Sequence, residues 1–263
     1  MSMSHKFTKL KLTTIFIIGI YTASFSASVN AGWSIKGLGN LGTDSFVSAI
    51  NDSGQLTGSF LNNGVYHSFI TGNNGIGMTD IGSLDGTDSF ARGINNFGIV
   101  AGESPNFDSI FSHAFITSLD GKNIFDVGNI GVNGKVYGIN DSGQVVGNLD
   151  SINTNGSHAF RTGPNGNVIT DLGTLGGVYS SATGINNSGQ VTGWAQKGND
   201  GSVSVDSHAF ITGPNGVGMV DLGTLNGNFS AANGINNSGQ VVGNVGEESE
   251  IFYHNAFITG ANG

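Results

Sequence analysis

The feature that most constrains this chain is that it repeats itself. The segment Gly-Ile-Asn-x-Ser-Gly-Gln-Val-x-Gly recurs with small variations, its first Asn at Asn51, Asn95, Asn140, Asn186 and Asn236, spaced by 44, 45, 46 and 50 residues. A second segment, His-Ala-Phe-Ile-Thr, recurs with its His at His67, His113, His158 and His208; a fifth copy is Asn255 to Thr259, with His254 displaced one residue upstream. A third, Asp-Leu-Gly-Thr-Leu or a close variant, starts at Asp80, Asp126, Asp171 and Asp221, with Gly37-Leu38-Gly39-Asn40-Leu41 as a degenerate first copy. Periods of this length mean a solenoid, a propeller or an array, each unit being too small to bury its own apolar face.

Composition decides the secondary structure of the unit. Gly supplies 45 of 263 residues, Pro 3 and Cys none, and we count 31 Asn. Gly and Asn both tolerate positive φ, so they mark tight turns and disfavour long helices. Collagen is excluded by the lack of a Gly-X-Y period. Disorder is excluded by 37% apolar against 10% charged residues. Each repeat therefore reads as four short strands: His208 to Thr212, Val217 to Leu222, Ser230 to Ile235 and Gln240 to Val245. The turns between them are Gly213-Pro214-Asn215-Gly216 and Asn236-Asn237-Ser238-Gly239, the Asn of the latter capping the backbone. Four antiparallel strands in some 45 residues suit a propeller blade. The expected fold is all-β, a five-bladed β-propeller whose C-terminal strand, His254 to Thr259, closes the first blade; a β-solenoid is the alternative.

Residues 1–31 read as a secretory signal. Lys6, Lys9 and Lys11 form the basic start, Leu12 to Ala27 the apolar stretch, and Val29-Asn30-Ala31 a small-residue site for cleavage after Ala31. Residues 32–263 are then a single repeat domain of about five units, released to the exterior or the periplasm. Loss of three of nine basic residues takes the formal charge from −9 to −12. That excludes a nucleic-acid binder, which needs clustered Lys and Arg, and an anionic-membrane binder; no other segment is apolar enough to span a bilayer. Without cysteine, the fold depends on its core alone.

The motifs resemble the HAF-repeat family of extracellular bacterial proteins. His113-Ala114-Phe115, His158-Ala159-Phe160 and His208-Ala209-Phe210 keep the tripeptide, while His67-Ser68-Phe69 and His254-Asn255-Ala256-Phe257 depart from it. The resemblance covers nearly all of residues 33–263. It implies an exported repeat protein, without a family-wide activity or ligand.

The histidines would be distributed one per blade, so they do not suit a shared metal site unless they lie on the innermost strands. A structural pairing of His67, His113, His158 and His208 with Asp80, Asp126, Asp171 and Asp221 is expected instead, with His254 lacking such a partner. Asn140-Asp141-Ser142-Gly143 and its relatives lack the ligand spacing of calcium loops and read as turns. No metal, cofactor or catalytic residue is expected. The chain has no Gly-x-Ser-x-Gly elbow or His-Glu-x-x-His helix. The unrepeated acids, Glu103, Asp108, Asp200, Asp206, Glu247, Glu248 and Glu250, read as solvated linker positions. Arg161, at an Ile position, reads as exposed. For ligand binding the candidates are Trp194 at the longest linker, Tyr66 and Tyr253 beside repeat histidines, and Asp200 and Asp206, a set suited to stacking on a sugar and bonding its hydroxyls. The functional expectation is a monomeric, secreted, non-enzymatic interaction module for an extracellular glycan or protein. The alternatives are a structural matrix protein and, third, a propeller hydrolase.

Overall fold

The computed structural model describes residues 26–29, 33–39, 41–84, 86–105, 111–119, 121–132, 134–150, 156–198, 206–247 and 254–263. It divides into two compact units, residues 1–39 and 40–263. In the first unit, β1 (Ser26–Val29) pairs antiparallel with β2 (Trp33–Lys36). Most of the expected export signal lies outside the described residues, among which no helix is long and apolar enough to cross a membrane.

The second unit consists of five antiparallel sheets built in chain order. The first contains β3 (Ser45–Ile50), β4 (Leu56–Asn62), β5 (Val65–Thr71) and β6 (Met78–Gly82). The second contains β7 (Phe90–Ile94), β8 (Val100–Pro105), β9 (Ser112–Thr117) and β10 (Ile124–Gly131). The third contains β11 (Lys135–Ile139), β12 (Val145–Asp150), β13 (Ser157–Thr162) and β14 (Ile169–Gly173). The fourth contains β15 (Gly176–Ile185), β16 (Val191–Lys197), β17 (Ser207–Thr212) and β18 (Met219–Asp221). The fifth has three strands among the described residues: β19 (Phe229–Ile235), β20 (Val241–Gly246) and β21 (His254–Ile258).

The phase of the sheets differs from the expectation. Each sheet begins with the strand before Asn-x-Ser-Gly and places the His-Ala-Phe strand third. β21 accordingly pairs with β20, not with a strand of the first repeat, while β2 pairs with β1. The physical reason is local. The stretch before each histidine is a hairpin connection, as short as Asn63-Gly64 between β4 and β5, and a neighbour in sequence pairs at lower entropy cost than a distant strand.

In the first, third and fourth sheets the two turns at one end hold one another. In the third sheet Gly143, at φ 70°, closes the Asn140 turn, while Asn165 sits in the left-handed region (φ 55°, ψ 35°) of the next one. The N–H groups of Asn165 and Gly166 then donate to the carbonyls of Ser142 and Gly143 at 3.0 and 2.9 Å. Gly147 answers a different need. A register shift in β11 brings the Lys135 carbonyl and the Phe160 ring against it, where any side chain would collide.

The apolar core lies between sheets. Four buried clusters each join residues of successive sheets, for example Ile70 and Ile81 with Ala91, Val100 and Phe115. Phe69, Phe115, Phe160 and Phe210 of the repeated tripeptide are at most 1% exposed. Each contributes roughly 1.5–3 kcal/mol by leaving water. Phe115, Phe160 and Phe210 share their clusters with residues of the preceding sheet, so each of these units relies on its neighbour to cover its Phe.

Candidate functional site: the axial asparagine ring

The first strands of successive sheets, β3, β7, β11, β15 and β19, pack side by side. They end in Ile-Asn-(Asn/Asp), so five copies of one tripeptide come to one place. Ile50-Asn51-Asp52, Ile94-Asn95-Asn96, Ile139-Asn140-Asp141, Ile185-Asn186-Asn187 and Ile235-Asn236-Asn237 together line a cavity of about 330 Å³.

The first Asn of each copy is consumed by structure. Asn140 Oδ1 accepts the N–H groups of Ser142 and Gln144 at 3.1 and 3.0 Å, and its Nδ2 donates to Gln144 Oε1 at 2.7 Å. Its remaining amide hydrogen crosses to the next sheet and bonds the Asn186 carbonyl at 2.9 Å. The same crossing runs from Asn51 to Asn95 (3.0 Å), Asn95 to Asn140 (3.1 Å) and Asn186 to Asn236 (3.0 Å). The second residue forms a parallel ladder: the N–H groups of Asp52, Asn96, Asp141 and Asn187 donate to the side-chain oxygens of Asn96, Asp141, Asn187 and Asn237 at 2.9–3.1 Å. These second side chains are exposed at the mouth, except Asp141, which is half-buried. Asp141 Oδ2 also accepts Nδ2 of Asn187 at 2.8 Å. No partner is recorded for the Asp52 carboxylate or the Asn237 amide nitrogen among the described residues. The arrangement offers carboxamides and two carboxylates, and no cation, to whatever enters.

The histidines lie on third strands, away from this axis. Nδ1 of His67, His113, His158 and His208 is 2.8–2.9 Å from a carboxylate oxygen of Asp80, Asp126, Asp171 and Asp221. A carboxylate only accepts, so that nitrogen carries the proton. The same carboxylates accept the N–H of Gly82, Gly128, Gly173 and Gly223 at 2.7–2.8 Å, which explains the Asp-x-Gly pattern as one network with the histidine. At Asp221, burial opposes the charge, but the Gly223 N–H, Lys197 and His208 outweigh it and hold the carboxyl below its ordinary value. Lys197 Nζ is 3.0 Å from Asp221. In the last sheet Asn255 occupies the register of the histidine, opposite Val245, and His254 lies opposite Gly246.

The ligand-binding candidates from the sequence do not come together. Tyr66 belongs to the first sheet and stacks in a tilted group with Phe46 (6.1 Å) and Phe90 (5.4 Å). Trp194 sits half-buried inside β16, three residues before the linker, between Ser181 and Ala209. Asp206 is exposed, and its carbonyl accepts the Lys197 N–H at 2.9 Å across the linker. Tyr253 and Asp200 lie outside the described residues, as do Asp108, Glu248 and Glu250.

Two sequence expectations are corrected. Glu103 is not a solvated linker residue: it lies within β8 at 0% exposure and accepts from Arg92 Nε at 2.8 Å. It holds the Trp194 register of its own sheet, where Arg92 supplies the compensating charge. Arg161 is not fully exposed. Gly216 of the next sheet lies over it, its Nε is buried without a partner, and burial pushes its pKa down. A larger hollow of about 490 Å³ lies between the Thr224–Gly227 loop and the end of β20, with Thr224, Asn226, Glu247 and Asn255 in its lining.

Radially repeated four-stranded sheets around a shared axial cavity recur in solved structures. The β-propeller domain of the trilobed protease from Pyrococcus furiosus, described as having an open velcro topology, matches with a TM-score of 0.53 at 9% identity, over 82% of this chain and 68% of that one. The fold is a β-propeller. TolB from Acinetobacter baumannii matches with a TM-score of 0.52 at 10% identity, over 79% of this chain. This chain spans half the length of that TolB. No family model matches the chain, and no curated protein matches it either. The propeller likeness at this identity shows the fold alone.

Proposed function

We propose that this chain is an exported, non-catalytic β-propeller module of the HAF-repeat kind that binds a polyhydroxylated ligand, an extracellular glycan, at its axial mouth. The observation that carries the reading is the convergence of five Asn/Asp pairs on one cavity of about 330 Å³, within the size range of small-ligand sites. Carboxamide and carboxylate groups match sugar hydroxyls, because a carboxamide both donates to and accepts from a hydroxyl while a carboxylate accepts its proton. The basic start and apolar stretch of residues 1–31 support export. The engagement of His67, His113, His158 and His208 each by its own aspartate supports a structural and not a catalytic use.

The test is a glycan array probed with the monomeric mature protein, residues 32–263, beside its Asp52→Ala and Trp194→Ala variants. Saturable binding lost in Asp52→Ala and kept in Trp194→Ala is expected. Loss in Trp194→Ala alone would move the site to the linker end. A blank array on folded protein would overturn the glycan reading and favour a scaffold role.

A further inference from the structure

At one level of the first strands the sheets stop being copies of one another. Each first strand bulges at the same point, and the bulged residues are Ser48, Arg92, Tyr137, Thr183 and Asn233, all different. The Asn ring, three residues further along each strand and about 10 Å away, repeats almost unchanged. Neighbouring bulges are close. A Cβ on Gly93 would stand 3.6 Å from Gly138 Cα, so Arg92 and Tyr137, the residues just before them, sit side by side.

The second and third sheets put an excess of positive charge there. Buried Glu103 accepts Arg92 Nε at 2.8 Å and Nη2 at 2.5 Å on one oxygen, and the Val136 N–H at 3.2 Å on the other. One cation already compensates that carboxylate, yet Lys135 Nζ lies 3.7 Å from the oxygen that Arg92 holds. The counterparts of Lys135 in the other sheets are Phe46, Phe90, Ser181 and Ala231, none of them charged. Two cations on one carboxylate leave a positive charge over, in a chain of formal charge −9. The guanidinium is also aimed. Glu103 takes its Nε edge and the Phe90 ring lies 5.7 Å from its Cζ, which leaves the edge formed by Nη1 and the outer hydrogen of Nη2. No partner is recorded for Nη1 among the described residues. The side chains of Arg92 and Lys135 are 35% and 46% exposed, and Tyr137 is exposed as well.

We propose that Arg92, Lys135 and Tyr137 form a binding site for the carboxylate group of a small ligand, separate from the Asn-lined mouth. The free edge of a guanidinium meets a carboxylate with two parallel N–H···O bonds. Lys135 adds an ammonium, and the Tyr137 hydroxyl a neutral donor. Glu103 is a positioning residue: it fixes the guanidinium and does not touch the ligand. The chain's net negative charge does not forbid this, because charges beyond about 10 Å are screened at ordinary salt. Variation from sheet to sheet suits the assignment, since identical positions would offer one ligand several equivalent poses. An acidic sugar and a simple carboxylic acid share the recognised group, and only the first brings ring hydroxyls. The inference does not rest on the glycan reading of the Asn mouth.

Arg92 and Arg161 are the chain's two arginines, so isotopically labelled full chain gives two arginine Nε–H resonances, assigned with Arg161→Lys. Sodium acetate, sodium glucuronate and glucose are titrated at an ionic strength held constant with sodium chloride. We expect a saturable shift of the Arg92 signal with both carboxylates, none with glucose, and an unmoved Arg161 signal. Lys135→Gln should weaken carboxylate binding about tenfold and Tyr137→Phe about fivefold. Both leave Arg92 on Glu103, and an unchanged Arg92 resonance before titration shows that they fold. Lys197→Gln, which removes a cation beside Asp221 instead, should leave the affinity as it was. Tighter binding of glucuronate than of acetate would uphold the site and name an acidic sugar; equal binding would uphold it for the carboxylate alone. A flat Arg92 titration, equal shifts of both arginines, or undiminished affinity in Lys135→Gln would each overturn the proposal.

Discussion

Asn140 and Asn186, 46 residues apart, are joined by a bond of 2.9 Å from the side chain of one to the backbone carbonyl of the other. This relationship makes a turn residue into an inter-sheet strut. Asn140 is 3% exposed and makes four bonds, whereas Asn236 is exposed and has no recorded sheet beyond it. Asn140→Ala should cost about 2–3 kcal/mol, with stranded buried donors adding to the lost bonds. Asn236→Ala should cost about 1 kcal/mol, as for an exposed cap. Urea melts of the two variants check this; equal losses would remove the strut from the account.

Glycine at the second strand of each sheet should be irreplaceable for a reason that is not conformational. At Gly147 a Cβ would meet the Lys135 carbonyl, while at Gly138 the nearest atom is a Val146 methyl at 3.6 Å, ordinary contact. Gly147→Ala should destabilise by about 3 kcal/mol through overpacking. Gly138→Ala should change stability by less than about 1 kcal/mol. Thermal denaturation of the pair separates collision from backbone freedom.

Ser68 stands where the other intact copies have Ala, and its hydroxyl is buried without a partner. Ser68→Ala should therefore raise stability by about 1 kcal/mol, the desolvation cost of an unpaired hydroxyl being relieved. A midpoint shift to lower urea would show that the hydroxyl finds a partner in solution.

Asp221 sets a pH dependence. Its folded carboxyl titrates below the ordinary value, so the stabilisation it provides is fully present above about pH 5. It fades as the pH falls through the lowered folded value, because the unfolded chain takes up the proton first. Asp221→Asn should cost roughly 1–2 kcal/mol near pH 7. That difference should shrink toward zero in acid. Parallel melts from pH 7 to pH 3 check the sign; a gap that widens on acidification would contradict it.

The repeat spacing and turn chemistry made the strands legible to within a residue or two. Ser207–Thr212, Met219–Asp221, Phe229–Ile235 and Val241–Gly246 fall where periodicity and the Gly-Pro-Asn-Gly and Asn-x-Ser-Gly turns require. Spacing also suggested the His–Asp partners, since both motifs recur in step and antiparallel neighbours meet at fixed register. The axial site was not legible. Asn51, Asn95, Asn140, Asn186 and Asn236 have a complete local role as turn caps, which hides their second one.

What the sequence determined by itself was local: period, strand and turn, all set by interactions within one unit. What the tertiary structure alone decided was convergence. Which strand faces the axis, that Glu103 is buried on Arg92, and that five Asn/Asp side chains share a cavity depend on sheets packing side by side. Residues about 45 positions apart become neighbours only through that packing, and no local preference encodes which face of a repeated unit will meet the next.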